Sequence, residues 1–565
     1  MEILGIILIF AFAVLLAVPI GRYMARVYAG EKTFLDFLSP VERFFYRIAG
    51  VDANRSFSWK QNLIALLTIN LVWFVPGFII LLFQGKLPFN PDGNPSMSPD
   101  LAFNTIISFL CNTNLQDYSG ETGATYLSQV GVFMFLQFVS AATGMAALVL
   151  LLNSLRAKTT DKLGNFFVIF TRTITRILLP LSIVLSIIFV FRGMPSSFDG
   201  KDMFIGLQGD TVHVSRGPVA QMISIKQLGT NGGGYYGANS AHPLENPDYL
   251  TNFIENWALM ILPIASVFAL GFYLKKRKLS LIIFGVMTLG FICLLVPSVQ
   301  HEISGNPAIT RMGIDQNRGS MEGKEVRIGS AASAFFGIST TVISCGAVNA
   351  MHDSMTPISG MNQMLGMMVN CFYGGKGVGL LNYYIFLIIA VFLSGLMVGR
   401  TPEFMGKKIE AKEMKIAALI ALLHPFLILA GTALASHGFI ADPKGNAGWL
   451  SNPGFHGFSE MLYQFTSSSA NNGSAFGGLN GNSPFWNIST GFVILLARFL
   501  PIIGPIAIAG ILAQKKFIPE STGTLKTDTV TFGAMTFAVI VILAALAFFP
   551  ALALGPISEY FTLAK

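Results

Sequence analysis

Ten long apolar stretches constrain this chain more than any other feature. Each is roughly 18 or more residues long, which is the length that an α-helix needs to cross the hydrocarbon core of a membrane. Of the 565 residues, 53% are hydrophobic and only 12% are charged. A soluble domain carries roughly twice that share of charges. The chain is therefore predicted to be an all-α polytopic membrane protein, and a soluble enzyme, a disordered chain or a nucleic-acid binder is excluded. The stretches cover 3–20, 62–83, 126–153, 165–191, 250–274, 279–299, 356–399, 414–436, 485–513 and 527–550.

The seventh stretch, 356–399, is too long for a single span. It is interrupted by a glycine-rich run from Gly374 to Gly379. This pattern predicts a broken helix, with two half-helices joined by an irregular loop at membrane depth. Such backbone is tolerated in a membrane only where it is buried in protein or lines a cavity.

The distribution of basic residues predicts the orientation of the ten spans. The formal net charge is +8. If the N-terminus lies outside, the inner loops together with Lys415 hold 22 Lys and Arg, whereas the longer outer segments hold 11. This asymmetry favours an orientation with both termini outside, and a retained first helix rather than a signal peptide. The inner loops are then 21–61, 154–164, 275–278, 400–413 and 514–526.

Four of the outer segments share one pattern. Each carries a short, mildly apolar stretch that is too short to span, at 99–111, 218–229, 328–343 and 458–470. A Gly-, Asn- and Ser-rich strand follows each of them, and the pattern recurs about every 115–125 residues. The order predicts four pseudo-repeats of helix, re-entrant pore half-helix, polar strand and helix around a central pore.

The repeats divide the chain into six predicted parts. An N-terminal helix with its inner loop comes first and a single C-terminal helix comes last, while the third repeat contains the broken helix. The parts are 1–61, 62–160 (repeat 1), 161–278 (repeat 2), 279–412 (repeat 3), 413–526 (repeat 4) and 527–565.

The four polar strands have the composition of an ion selectivity filter. Half-helices that stop mid-membrane can present extended strands whose backbone carbonyls replace the hydration shell of a monovalent cation. Their negative dipole ends favour a cation in the cavity, and glycine permits close backbone approach. The absence of Asp and Glu disfavours a divalent-ion site. Recurrence in the same slot argues against four ordinary external loops. The candidate ligands are Asn112, Thr113, Asn114, Thr230, Asn231, Gly232, Ser344, Cys345, Gly346, Asn471, Asn472 and Gly473.

Motifs along nearly the whole chain resemble those of the potassium-binding subunits of bacterial Kdp complexes. This family is similar to the Trk/Ktr/HKT superfamily of potassium transporters. The motifs are 112–116 (NTNLQ), 229–234 (GTNGGG), 239–243 (NSAHP), 321–325 (MEGKE), 344–349 (SCGAVN), 351–354 (MHDS), 399–403 (GRTPE) and 471–476 (NNGSAF).

The resemblance implies a role in ATP-driven potassium uptake. It implies ten spans in a bacterial inner membrane, K⁺ as the bound substrate at the outer face, and an intramembrane tunnel that delivers the ion to a P-type ATPase subunit. It also implies a single-span accessory subunit and a small hydrophobic peptide as further partners, beside membrane lipid. No nucleic acid is expected.

The chain carries no nucleotide-binding signature of its own. It contains no GxxxxGK[ST] sequence. The nearest match to the aspartyl-phosphate loop of a P-type pump, 161–164 (DKLG), lacks the threonine. We therefore expect a non-catalytic subunit that binds no nucleotide, with ATP hydrolysis in a partner chain. The alternative is a stand-alone Trk/Ktr-type channel or ion-coupled transporter with a cytosolic nucleotide-binding regulator.

Several residues beyond the twelve ligands are candidates for support or gating. Gln116 and Gly233 are expected to support the filter, although Gln116 also fits a headgroup or water contact. Gly374, Gly375 and Lys376 form the predicted break, where a buried cation is usually functional. The Lys376 ammonium projects toward the cavity as part of a gate, or pairs at a subunit contact.

Three arginines are assigned near the inner face. Arg400, at the inner end of the seventh span, is a positive-inside anchor or a tether of the broken helix. Arg172 and Arg176 are four residues apart and therefore share a helix face. That face is expected to meet lipid headgroups or the accessory partner.

Overall fold

The computed structural model describes residues 2–519 and 526–564. Residues 520–525, which belong to the predicted inner loop 514–526, lie outside the described part, as do residues 1 and 565. The helices are α1 (Glu2–Ala29), α2 (Ser39–Ile48), α3 (Trp59–Phe83), α4 (Pro99–Leu110), α5 (Gly120–Gly123), α6 (Phe135–Arg156), α7 (Phe166–Thr173), α8 (Leu179–Phe191), α9 (Val219–Leu228), α10 (Tyr249–Tyr273), α11 (Arg277–Ser304), α12 (Pro307–Arg311), α13 (Ser330–Val342), α14 (Pro357–Val369), α15 (Val378–Val398), α16 (Ala411–Ala441), α17 (Gly454–Ser469), α18 (Pro484–Gln514), α19 (Val530–Leu552) and α20 (Ser558–Ala564).

Strands are few and short. β1 (Lys201–Ile205) and β2 (Thr211–Ser215) form an antiparallel hairpin in which Lys201 lies opposite Ser215. β3 (Glu403–Phe404) and β4 (Lys407–Lys408) form a second, smaller hairpin directly after α15. The β1–β2 hairpin lies in a segment that the sequence identified only as part of a long loop.

Ten helical segments of the described chain are long and apolar enough to cross a membrane. The predicted number of spans and the all-α class are confirmed. Three spans include π-helical turns, at Ser128–Met134, Ile174–Leu178 and Ala553–Ile557. The segments are Glu2–Ala29, Trp59–Lys86, Ser128–Arg156, Phe166–Phe191, Tyr249–Tyr273, Arg277–Arg311, Val378–Met397, Ala411–Ala441, Pro484–Gln514 and Val530–Leu563.

Local signals explain where several of these helices begin. Ser58 accepts a hydrogen bond from the backbone N–H of Gln61, whose side chain accepts one from the N–H of Ser58. Asp248 and Thr251 form the same reciprocal box before α10. Such boxes satisfy two of the backbone donors that a helix start leaves unpaired.

The spans fall into an inner and an outer group. The spans that contain α6, α10, α15 and α18 are 67–89% buried over their most apolar windows, whereas the other six are 22–44% buried. The outer group exposes apolar side chains such as Leu15, Leu71 and Leu434. In a membrane protein such surfaces face lipid or partner helices, so the inner four helices form the frame of the molecule.

Two separate helices occupy the stretch that was predicted as a broken seventh span. α14 ends at Val369 and α15 begins at Val378, with Asn370 in the left-handed backbone region at φ 45°. Four short helices, α4, α9, α13 and α17, coincide with the four short apolar stretches predicted from the sequence. The arrangement of the repeats around a pore stays a prediction.

The expectation for Arg176 is wrong. Its side chain is 7% exposed and does not face headgroups. Its Nε and Nη2 atoms donate to Glu42 at 2.6 and 2.8 Å, and its Nη1 donates to Asp36 at 2.6 Å. A buried guanidinium is retained where carboxylates satisfy its fork of donors, and both acids come from the 21–61 loop.

Candidate ion-binding site

Four short helices end in the same backbone turn. The residue that follows the helix cap has a positive φ in each case, although none of the four is glycine. The angles are 61° at Asn112, 44° at Thr230, 54° at Ser344 and 51° at Asn471. A left-handed residue at this position is the mark of a helix C-terminal motif that turns the chain off the helix axis.

One hydrogen bond repeats in all four turns. The N–H of the residue after the left-handed position donates to the carbonyl five residues earlier, which is the outer bond of a Schellman motif. The bonds join Thr113 to Ser108 (2.9 Å), Asn231 to Lys226 (2.9 Å), Cys345 to Thr340 (2.8 Å) and Asn472 to Ser467 (2.9 Å). The chain therefore leaves each helix in the same way. The four polar segments that result are 112–114, 230–232, 344–346 and 471–473.

The polar segments converge on three glycines. A Cβ atom on Gly232 would lie 3.0 Å from the carbonyl oxygen of Asn472 and even closer to that of Thr113. A Cβ on Gly473 would collide with the Thr113 carbonyl, and one on Gly346 with the Asn472 carbonyl. Only glycine permits backbones to approach this closely. The structure thus brings backbone carbonyls from different segments to one place.

Side chains link each polar segment to its neighbours. The Nδ2 of Asn112 donates to the Thr230 carbonyl at 2.8 Å, which joins the first segment to the second. The Sγ of Cys345 lies 3.5 Å from the Asn231 carbonyl and joins the third to the second.

Two asparagines complete the ring. The Nδ2 of Asn472 donates to the carbonyl of Thr340, at the end of α13, at 2.8 Å. The Nδ2 of Asn471 donates to Thr113 Oγ1 at 3.1 Å and joins the fourth segment to the first. Side-chain bonds therefore tie the first segment to the second, the second to the third and the fourth to the first, and the fourth segment is tied to α13, the helix that precedes the third. The amide of Asn114 is buried, and among the described residues neither of its polar atoms has a hydrogen-bond partner.

Gln116 and Gly233 lie against each other. The Gln116 Oε1 accepts from the N–H of Gly234 at 2.7 Å, and its Nε2 donates to the Gly234 carbonyl at 3.1 Å. A Cβ on Gly233 would lie 2.7 Å from that Oε1. The glutamine thus binds the chain that continues from the second segment, and its Nε2 also donates to the Tyr118 hydroxyl at 3.1 Å.

The helix break lies directly against the polar segments. The N–H of Lys376 donates to Thr230 Oγ1 at 3.1 Å. Asn370 accepts from Ser344 Oγ at 2.9 Å and donates to the Ala470 carbonyl at 3.2 Å. On the other side, Gly144 of α6 leaves room for the Lys376 carbonyl. The break is therefore wedged between α6 and the segments.

A cavity of about 110 Å³ lies between the segments and the break. Its lining includes Asn112, Ser344 and Asn471, one residue from each of three segments, and also Gly374 and Gly375. Apolar residues of α15, α16, α18 and α19 form most of the remaining wall.

Lys376 is not part of the cavity lining. Its side chain is 0% exposed, and its Nζ has no hydrogen-bond partner within the described part of the chain. The sequence left two alternatives for this ammonium, a position toward the cavity as part of a gate or pairing at a subunit contact, and in the structure its Nζ is buried against protein. Arg400 lies at the other end of α15 and is exposed, so it does not meet the break.

Several buried charged residues near the site were missed from the sequence. Arg498 of α18 is 3% exposed and donates to the Ser140 carbonyl at 3.0 Å. Lys226 and Glu245 form a fully buried ion pair of 2.8 Å behind the second segment. A lone charge inside an apolar run is the signal that could have identified Arg498 and Lys226.

Comparisons with known proteins agree with one another. A sequence model of the family described as "Potassium-transporting ATPase A subunit" matches residues 7–561. A protein of Flavobacterium johnsoniae named "Potassium-transporting ATPase potassium-binding subunit" is 65% identical over 570 residues, with 100% of this chain and 99% of the relative covered. A protein of the same name from Phocaeicola vulgatus is 56% identical over 565 residues, with both chains fully covered.

Among solved structures, the crystal structure of the potassium transporter TrkH from Vibrio parahaemolyticus is similar at a TM-score of 0.49. The sequence identity is 15%, with 89% of this chain and 98% of that chain covered.

Proposed function

The chain belongs to the family of potassium-transporting ATPase A subunits, and on that premise we propose that its four polar segments form the potassium selectivity filter. It is the potassium-binding subunit of such a transport ATPase and not the subunit that hydrolyses ATP. The proposed ligands are the backbone carbonyls of the twelve residues that the sequence identified, with Gln116 and Gly233 as support.

The observation that carries this proposal is the ring of four identical helix ends. Four Schellman turns direct the four segments toward one place. Gly232, Gly346 and Gly473 allow backbone carbonyls from other segments to approach closely. Neutral carbonyl oxygens suit a monovalent cation, whereas a divalent ion selects carboxylates. The ring of side-chain hydrogen bonds keeps the carbonyls at a fixed separation, which selectivity requires.

The energy for transport comes from other chains in this proposal. A P-type ATPase subunit hydrolyses ATP, and a single-span accessory subunit and a small hydrophobic peptide complete the complex in the inner membrane. Both termini lie outside, as the 22 inner and 11 outer basic residues indicate. The ion passes from the filter into the cavity below it and from there through a tunnel to the ATPase subunit.

The chain divides into repeats at the predicted boundaries.

The helix break is the proposed gate. It lies under the filter, and its glycines Gly374 and Gly375 line the cavity. An unpartnered ammonium is costly to bury. In the proposed gating movement, the Lys376 ammonium therefore gains a partner that the described residues do not give it here. The exposed Arg400 anchors the far end of α15.

The test is the potassium dependence of ATP hydrolysis by the purified complex. Gly232→Ala places a methyl group against two filter carbonyls, so it should raise the half-maximal potassium concentration by an order of magnitude or more. Gly285→Ala is the matched control, because a Cβ on Gly285 would meet no atom within 4 Å apart from the neighbouring backbone of its own helix. Normal affinity in the Gly232 variant would refute the filter assignment.

Co-purification tests the assignment to a complex. A P-type ATPase chain should be isolated together with this subunit from the membrane. Potassium flux through the subunit alone, with no ATPase chain present, would instead support a stand-alone transporter.

A further inference from the structure

The second polar segment is held differently from the other three. In α4, α13 and α17, the residue whose carbonyl closes the Schellman turn is Ser108, Thr340 or Ser467. Each hydroxyl oxygen also accepts a backbone N–H of its own segment, from Leu115 (2.7 Å), Gly346 (2.9 Å) and Gly473 (3.1 Å). In α9 the same position is Lys226, whose ammonium cannot accept a hydrogen bond. The fourfold pattern is therefore broken by a charge.

Lys226 is compensated by groups from the loop that follows its segment. Its side chain is 0% exposed. Its Nζ donates to Asn239 Oδ1 at 2.6 Å, to Ser240 Oγ at 2.9 Å and to Glu245 Oε1 at 2.8 Å. These three bonds use all three donors of the ammonium. Glu245 alone neutralises it.

A second carboxylate, Glu255 of α10, is buried in the same cluster. Its Oε2 accepts from Gln227 Nε2 and from Ser240 Oγ, both at 2.6 Å. Two donors directed at one oxygen favour the ionised form of a carboxylate. The Oε1 is buried and has no hydrogen-bond partner in the described chain. With both carboxylates ionised, one ammonium and two carboxylates give the cluster a formal charge of −1.

Gln227 connects this cluster to the filter. Its Nε2 donates to Glu255, while its Oε1 lies 3.7 Å from the Sγ of Cys345. The same Sγ lies 3.5 Å from the Asn231 carbonyl. Glu255 is thus separated from the second and third segments by a single glutamine side chain.

Other buried charged residues also lie beside the segments. The basic residues Lys376 and Arg498 are buried against them, and the acid Asp117, whose Oδ2 is buried, follows the first segment three residues after Asn114. The twelve filter residues carry no charge of their own. An excess negative charge in the Lys226 cluster is therefore one source of attraction for a bound cation, and a charge in the interior acts over longer distances than in water.

We propose that Glu255 is the counter-charge of the potassium ion in the filter and sets the affinity of the site. Lys226, Ser240 and Gln227 hold the carboxylate in place, and its charge stabilises the ion through space without contact. This inference rests on the proposed function of the four segments. Glu255 does not contact the ion, and it acts on the ion only through its electric field.

The test is the potassium dependence of ATP hydrolysis by the complete complex. Glu255→Gln keeps an oxygen that can accept from Gln227 and Ser240 and replaces the unpartnered Oε1 with a neutral NH2 group, which removes the charge. It should raise the half-maximal potassium concentration about tenfold, with a smaller change in the maximal rate. Glu255→Asp keeps the charge and should restore most of the affinity. If the Gln variant does not assemble, Glu255→Met removes the charge and the polar group together, with the same expected shift.

Glu302→Gln is the matched control. Glu302 is also 0% exposed, and it binds Lys324 at 2.9 Å and Thr356, which lie outside the four segments. Its variant should keep the wild-type affinity. An unchanged affinity in the assembled Glu255→Gln complex, or a loss that Asp does not restore, would overturn the proposal. If potassium does not stimulate the unaltered complex, the proposed function itself fails.

Discussion

Single residues carry an unusual backbone conformation at the start of each of the four polar segments. Positive φ is uncommon outside glycine, and for a β-branched residue such as Thr230 it is a clear outlier. Strain of this kind persists only where the surroundings fix the backbone, and it is concentrated at functional sites. In all four turns, a Schellman hydrogen bond and side-chain hydrogen bonds to neighbouring elements hold the backbone in this conformation. The repetition itself is therefore an argument that the turns are functional.

The buried arginine Arg176 yields a prediction about stability. Arg176→Ala leaves Glu42 buried without its cation, so it should lower the free energy of unfolding by about 3–5 kcal/mol. Thermal unfolding of the detergent-solubilised protein measures this. Arg22→Ala, at an exposed arginine on α1, is the control and should unfold at the wild-type temperature. Equal unfolding temperatures for both variants would contradict the clasp that Arg176 forms with Glu42.

At the scale of elements, length and hydropathy predicted most of the architecture. The four short helices α4, α9, α13 and α17 lie within a few residues of their predicted positions, because each corresponds to a local apolar run followed by a polar one. The break was predictable because consecutive glycines interrupt an apolar run that is too long for one helix.

Contacts between distant elements were not predictable. The hydrogen bond from Asn471 to Thr113 joins residues 358 positions apart. Arg176 looked like a surface arginine because its partners, Asp36 and Glu42, lie more than 130 positions away. Glu255 gave no signal within its apolar helix beyond being a lone charge. Such pairings depend on which helix faces meet, and local sequence does not encode that directly.

The contact between α6 and the helix break gives a prediction at this scale. Gly144→Ala would push a methyl group into the Lys376 carbonyl and against Arg498, 3.1 Å away. Overpacking of this kind costs about 1–3 kcal/mol. The variant should unfold at a lower temperature and transport potassium more slowly in proteoliposomes. Gly285→Ala is again the control, and equal transport rates in the two variants would show that this contact does not control the path.

For the whole molecule, the inner helices hold the site and the outer helices cover it. The half-helix α17 is also tied to the C-terminal helix. His456 donates to Asp353, which follows the third segment, and to Glu559 of α20, both at 2.8 Å. The hydrogen bonds of His456 thus join the loop after the third segment, α17 and α20.

The two hydrogen bonds of His456 predict a loss of stability at alkaline pH. Burial lowers the pKa of His456, but its hydrogen bonds to Asp353 and Glu559 outweigh burial and raise the pKa to about 10, from 6.5 in the unfolded chain. Because the folded state binds the proton more tightly, the stabilisation is complete below pH 6.5 and is lost as the pH rises through about 10. Unfolding temperatures measured across this range should fall.

His456→Gln provides the control for this pH dependence. Glutamine does not titrate, so the variant should be less stable at neutral pH and should lose less stability between pH 6.5 and 10. Parallel pH profiles for the variant and the wild type would rule out the hydrogen bonds of His456 as the cause.

The most direct test of the central claim is a map of the ion in the complete complex. Thallium(I) replaces potassium and scatters anomalously, so crystals grown in thallium locate the ion without assumptions about ligands. The account predicts an anomalous peak enclosed by backbone carbonyls of the four polar segments, above the cavity and the helix break. A thallium-saturated complex with no peak among these segments and its peak elsewhere in the chain would contradict it.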